Sequence, residues 1–96
     1  MARTPIHPGE VLADEISEIG ITASELAHKI HVPANRITQI VAGKRGITAE
    51  TALKLGKLFG TGPRIWMNLQ QAFELDSAAQ KVDLDNIDSE FLRKSG

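Results

Sequence analysis

Apolar residues along this chain recur at intervals of three and four, and nowhere is there a sustained alternation of apolar and polar positions. The first spacing keeps side chains on one face of a 3.6-residue helix, whereas a half-buried strand needs a period of two. The chain therefore reads as all-α, with no strands. Its punctuation divides it into five helices. The first begins at Pro8, whose missing N–H is no loss at a first helical position. His7 is its expected N-cap and Glu10 stands three residues on, where a carboxylate reaches back to the capping amide. Val11, Leu12, Ile16 and Ile19 form its buried stripe, and Gly20 supplies a left-handed stop. The second opens on Thr22 and Glu25, a capping box in sequence, and buries Leu26, Ala27 and Ile30. The third follows Pro33, buries Ile37 and Ile40 and ends near Gly43. The fourth runs from after Thr48 to Phe59, with Ala52, Leu55, Leu58 and Phe59 inward and Gly60 at its end. Thr61 and Pro63 start the fifth, with Ile65, Trp66, Leu69 and Phe73 on one side. These helices assign residues 1–80 to one domain and residues 81–96 to an acidic tail. In the tail, Leu84, Ile87 and Phe91 keep helical spacing, Asp85 is placed to cap a short helix, and Arg93 and Lys94 suit its C-terminal dipole.

Size and composition narrow the function. The 96 residues suffice for one small domain, which buries somewhat over ~60% of its extended surface. So small a core favours a binding module, or half of a dimer, over an enzyme with a deep cleft. Hydrophobic residues at 42% and charged residues at 24% are too apolar a mixture for a disordered chain. No run approaches the ~20 apolar residues of a membrane span. The first twenty residues, interrupted by Pro5, Pro8, Glu10, Asp14 and Glu15, hold no signal-peptide apolar region. The absence of cysteine removes disulfides, thiol nucleophiles and thiolate metal sites. The expectation is a cytoplasmic protein without a membrane partner.

Charge is unevenly placed. Between Lys29 and Arg64 stand seven basic residues (Lys29, Arg36, Lys44, Arg45, Lys54, Lys57, Arg64) against a single acid, Glu50. The rest of the chain carries four basic and eleven acidic residues, for a net charge of −1. A local excess of six positive charges in a near-neutral chain marks a candidate anion-binding face.

Within that window lies the constellation that carries function. Thr22–Val41, TASELAHKIHVPANRITQIV, pairs helix two with helix three across a tight turn. Small Ala27 allows two helices to approach, Val32 is an apolar plug, and Ile37 and Ile40 anchor the second helix from beneath. This pattern fits two helices crossing at ~90–120° through a turn of 3–4 residues, the helix-turn-helix. The turn position most often held by glycine is His31, a residue type that tolerates positive φ. With Ile37 and Ile40 inward, Ala34, Asn35, Arg36, Thr38 and Gln39 are left for the outer face, which such a helix presents to the DNA major groove. Asn35 and Gln39 have paired donors and acceptors suited to adenine, and Arg36 suits guanine or a phosphate. Lys44 and Arg45, just beyond, are placed to grip the phosphate backbone.

Other chemistries fit less well. His28 and His31 are three apart with no third ligand in view, short of a zinc site. Glu10, Asp14 and Glu18 line up at spacing four, but without a cleft they read as solvated surface. Gly60-Thr61-Gly62-Pro63-Arg64 lacks the Lys-Ser/Thr of a phosphate loop, and Pro63 removes an amide the phosphate needs. Trp66, the only tryptophan, reads as packing with Leu69 and Phe73. Part of that apolar surface is a candidate for sharing between two subunits. No enzyme, metal or cofactor is implied.

The Thr22–Val41 segment resembles the Cro/C1-type (XRE, lambda-repressor-like) helix-turn-helix. PIHPGEVL at Pro5–Leu12, GKRGITAETALKLGKLFGT at Gly43–Thr61 and PRIWMNLQ at Pro63–Gln70 narrow the resemblance to the HigA-type antitoxins, over about residues 5–76. The resemblance implies a five-helix, homodimeric DNA-binding antitoxin. Such a protein binds double-stranded operator DNA to repress its own operon and neutralises a HigB toxin, a RelE-like messenger-RNA endonuclease. Two positions depart from the pattern. Ala34 stands where many relatives have a polar residue, and offers at most an apolar contact to a thymine methyl. Ala23 occupies a helix-two position where relatives often contact phosphate, leaving Thr22 and Ser24 for that role. A stand-alone phage-type repressor and a Cro/C1-like protein-interaction adaptor that does not read DNA remain the competing classes. An adaptor has no need of Asn35, Arg36 and Gln39 with Lys44 and Arg45 alongside.

Overall fold

A computed structural model of the chain describes the backbone of residues 3–95 and the side chains of residues 3–92. Among them are six helices and no strand: α1 (Pro8–Ile19), α2 (Ala23–Lys29), α3 (Ala34–Val41), α4 (Ala49–Phe59), α5 (Arg64–Ala79) and α6 (Glu90–Ser95). α1 to α5 enclose one core, built from Leu12, Ile16, Leu26, Ala27, Ile30, Ile37, Ile40, Ile47, Ala52, Leu55 and Trp66.

Local side-chain chemistry sets where the helices begin. His7 Nδ1 accepts from the Gly9 amide at 2.9 Å, while Glu10 accepts from the His7 amide at 3.2 Å. Thr22 and Glu25 repeat the arrangement at α2, with bonds of 3.0 and 2.8 Å. Each box satisfies two amide groups that the helix itself leaves unpaired. The Thr48 hydroxyl oxygen accepts from the Thr51 amide at the head of α4. Gly20 and Gly60 end α1 and α4 in the left-handed region.

Two close approaches shape the interior. A Cβ on Gly9 would overlap the Ile40 carbonyl, so α1 crosses α3 at a distance only glycine permits. The second is the turn from α2 to α3. His31 adopts φ 59°, the only described non-glycine residue with positive φ. Around it the Ile30 amide donates to Leu26 O and the Val32 amide to Ala27 O, at 3.1 and 3.0 Å. The chain thus reverses within four residues and delivers Val32 against the core.

Three side chains expected inward are not. Leu58 is 40% exposed and Ile65 49% exposed. Leu58 lies just outside the edge of the α4 stripe of Thr51, Ala52, Leu55 and Gly56, roughly 90° from its centre, and Ile65 lies roughly 100° around α5 from Trp66, at 3.6 residues per turn. Ile19 lies on the edge of the α1 stripe but in its last turn, and half of it meets solvent. Val11, Phe59, Leu69 and Phe73 are half-buried. Phe73 packs its ring edge-on against His7, with centroids 4.8 Å apart.

Beyond α5, the side chains from Gln80 to Leu92 are exposed. Asp85 does not cap the tail helix, which begins only at Glu90; there the Asp88 carboxylate accepts from the Glu90 amide at 2.9 Å. Asp85 is taken up in the preceding turn, where its own amide donates to Asp83 and the Ile87 amide donates to Leu84 O. The side chains of Arg93 and Lys94 lie outside the described ones. No described helix is long and apolar enough to cross a membrane.

The strain at His31 is testable by chemical denaturation. His31→Val, placing a β-branched residue in the left-handed region, is expected to lose about 1–2 kcal/mol. His31→Gly, which trades that strain for unfolded-state entropy, should stay within about 1 kcal/mol of the parent. Equal stability of the valine and glycine variants would contradict the turn described.

Candidate nucleic-acid interface

α3 turns Ile37 and Ile40 into the core and leaves Ala34, Asn35 and Thr38 exposed, with Arg36 and Gln39 half-buried at the margins. Pro33 has no side chain to cap the helix, so its first-turn amides receive no side-chain bond. Thr38 donates its hydroxyl back to Asn35 O at 3.3 Å. Thr22 and Ser24 lie at the start of α2, the helix packed against α3. Thr22 Oγ1 accepts from the Glu25 amide, leaving its hydroxyl proton to donate elsewhere.

The loop after α3 is held from two sides. Gly43 takes φ 77°, the Gly43 amide donates to Ile40 O, and the Lys44 amide donates to Gln39 O at 2.8 Å. At its far end, buried Gln70 of α5 accepts from the Ile47 amide at 2.8 Å. Gln70 Nε2 in turn donates to Glu74 at 2.9 Å, and Gly46 lies so close to this amide that a Cβ there would press on it. Lys44 and Arg45 are exposed between these anchors. Arg45 reaches back to α3, donating Nε–H to Gln39 Oε1 at 3.0 Å.

Arg36 is drawn aside. Its guanidinium lies 3.5 Å from Glu50, the one acid of the basic window, and Lys54 approaches the same carboxylate at 3.2 Å. The Lys54 hydrogen bond, then the charges of Lys54 and Arg36, hold the Glu50 carboxyl below its ordinary value. Lys54 also donates to the His31 carbonyl at 3.1 Å, tying α4 to the turn.

The structure thus joins Gln39 to Arg45 directly and couples Arg36 to Glu50 rather than leaving it free on the outer face. Trp66 is 3% exposed within the chain itself and stacks at a tilt on Phe59, with centroids 5.8 Å apart. It is a core residue; Leu69 is half-buried beside it, and Phe73 is half-buried against His7. The residue that sequence reasoning missed is Gln70. Its one signal is a polar side chain four residues after Trp66, on the side of α5 that faces the core.

The Helix-turn-helix family matches residues 16–66, more than half of the chain. The chain belongs to that family. It is 45% identical over 83 residues to virulence-associated protein I of Dichelobacter nodosus, covering 85% of this chain and 77% of that protein. Among solved structures it is similar to an addiction module antidote protein of the HigA family from Coxiella burnetii. That likeness has 48% identity and a TM-score of 0.80, over 82% of this chain and 87% of that one. It is also similar to the Pseudomonas aeruginosa antitoxin HigA, solved with the higBA promoter. Here identity is 42% and the TM-score 0.78, over 80% and 85% of the two chains. Within the helix-turn-helix family this protein is therefore of the HigA type.

The Gln70 anchor yields a prediction. Gln70→Leu keeps the volume but leaves the buried Ile47 amide unpaired, and is expected to cost about 1–3 kcal/mol. Gln70→Glu retains the acceptor and should lose less. Hydrogen exchange of the Lys44–Ile47 amides should quicken in the leucine variant before exchange of the core does; unchanged loop exchange would show that Gln70 does not hold it.

Proposed function

We propose that this chain is a DNA-binding antitoxin that represses the operon encoding it and neutralises a HigB-type, RelE-like messenger-RNA endonuclease. The observation that carries the reading is the exposed edge of α3, with Asn35, Thr38 and Gln39 beside a cationic loop fixed in place by Gln70. Its support is likeness to HigA-family antitoxins, one of them solved with promoter DNA. Asn35, Thr38 and Gln39 face base edges in the major groove. Thr22, Ser24 and Lys44 take phosphates, which set register without reading sequence. Arg36 reaches guanine or phosphate by exchanging Glu50 for DNA. The protein binds rather than catalyses, in the cytoplasm, through a unit formed by residues 1–80, with 81–96 as a tail.

One domain reads only a few base pairs, so specific binding calls for a homodimer whose α3 helices enter successive major grooves ~34 Å apart. The outer side of α5, with exposed Ile65 and half-buried Leu69 beside Trp66 and half-buried Phe73 further along against His7, supplies an apolar surface for the twofold contact. It borders a shallow cleft lined by Val11, Glu15, Phe59 and Thr61.

Fluorescence anisotropy against the DNA upstream of its own reading frame tests the first half. The expected result is two protomers per duplex, bound at least ~10³-fold more tightly than scrambled DNA. Lys44→Ala should weaken binding to both DNAs alike and lower the slope of log K against log salt by ~0.9, as expected when one fewer phosphate is neutralised. Equal affinity for operator and scrambled DNA would contradict the reading. Co-expression tests the second half. A small basic toxin encoded beside this gene should arrest growth alone and lose that effect when this chain is present; persistent arrest would leave a repressor without antitoxin function.

A further inference from the structure

Gln39 is tied to the loop by both of its acceptors. Its carbonyl receives the Lys44 amide at 2.8 Å, and its side-chain oxygen receives Arg45 Nε–H at 3.0 Å. The orientation of the amide follows from chemistry: a guanidinium has only donors, so the atom facing it must be Oε1 and not Nε2. The loop is secured again at Ile47 by Gln70. The pair is therefore assembled before any ligand arrives.

This changes what Gln39 can read. A lone glutamine recognises adenine by accepting from N6–H with its oxygen while donating to N7 with its nitrogen. Here the oxygen is engaged, and a guanidinium beside it opposes the approach of an amino donor to the remaining lone pair. What the pair offers outward is the two Nε2–H donors of Gln39 and the four Nη–H donors of Arg45. A surface of donors alone calls for a base edge of acceptors alone. In the major groove that edge is guanine, with N7 and O6 adjacent; adenine presents an acceptor beside a donor.

The geometry points to Gln39 and Arg45 acting as one specificity-determining unit that reads a guanine, with Arg45 turning Gln39 away from adenine. This rests on the DNA-binding reading above and gives Arg45 a base rather than a phosphate.

Selection from randomised duplexes, followed by titration of single-site variants of the selected sequence, tests it. The parent should enrich one G·C pair per half-site that Gln39→Ala and Arg45→Ala both relax. At that pair it should favour G·C over A·T by about tenfold or more. Arg45→Ala frees Gln39 Oε1 and should move the preference toward A·T. Replacing the guanine by 7-deazaguanine, which lacks N7, should weaken the parent several-fold and Arg45→Ala much less. Arg45 is exposed, so its truncation should leave the fold intact, which circular dichroism verifies. If Gln39→Ala and Arg45→Ala relax different base pairs, the residues read independently and the inference falls. It falls equally if Arg45→Ala weakens all sequences alike with a reduced salt slope, the mark of a phosphate contact. Enrichment of no sequence by the parent would remove the DNA-binding reading itself, and this inference with it.

Discussion

The position of every side chain on the outer face of α3 depends on a turn of four residues centred on a left-handed histidine. His31 lets the chain leave α2, pass Val32 into the core and enter α3 at an angle that puts Ile37 and Ile40 beneath and Asn35 and Thr38 outside. Left-handed backbone costs a non-glycine residue about 1–2 kcal/mol. What offsets it is close at hand: the Val32 and Ile30 amides bond back to α2, and Lys54 reaches across from α4 to the His31 carbonyl. Gly9 completes the seat, letting α1 lie against the far end of α3 at the Ile40 carbonyl.

Charge within this frame is distributed by one carboxylate. Glu50, at the first turn of α4, stands near both Arg36 and Lys54. Its placement at a helix N-terminus is itself favourable, and its partners keep it ionised. Its exposed pairings add little to stability. Their larger effect is to hold Arg36 to the α4 side while Lys44 and Arg45 project from the loop. The basic window is thus partitioned into cations that brace the turn and cations that face outward.

What is legible in the sequence is whatever is decided between near neighbours. His7 with Glu10, Thr22 with Glu25, and the stops at Gly20 and Gly60 involve residues in one turn, so their types declare the geometry. The left-handed His31 is legible from the glycine it replaces. Buried stripes read correctly at their centres and too generously at their edges, because Leu58 and Ile65 are apolar whether or not a helix covers them. Asp85 reads as the tail cap since any of several acids close in sequence could serve; the turn at Leu84–Ile87 delays the helix to Glu90, whose amide meets Asp88 instead. The site's internal contacts are out of reach. Gln70 meets Ile47 across 23 residues, and Arg45 meets Gln39 across six, from loop to helix. Those pairings follow from tertiary placement, which no local pattern encodes.

The central claim is that the face built from the start of α2, the outer side of α3 and the Gly43–Arg45 loop meets DNA. Amide chemical-shift perturbation on titrating the isotope-labelled protein with its upstream DNA tests it most directly. The account predicts the largest shifts at Thr22–Ser24, Ala34–Gln39 and Gly43–Arg45, with the outward positions of α1 little changed. Shifts concentrated on α1 and α4, with the α3 amides unmoved, would contradict it.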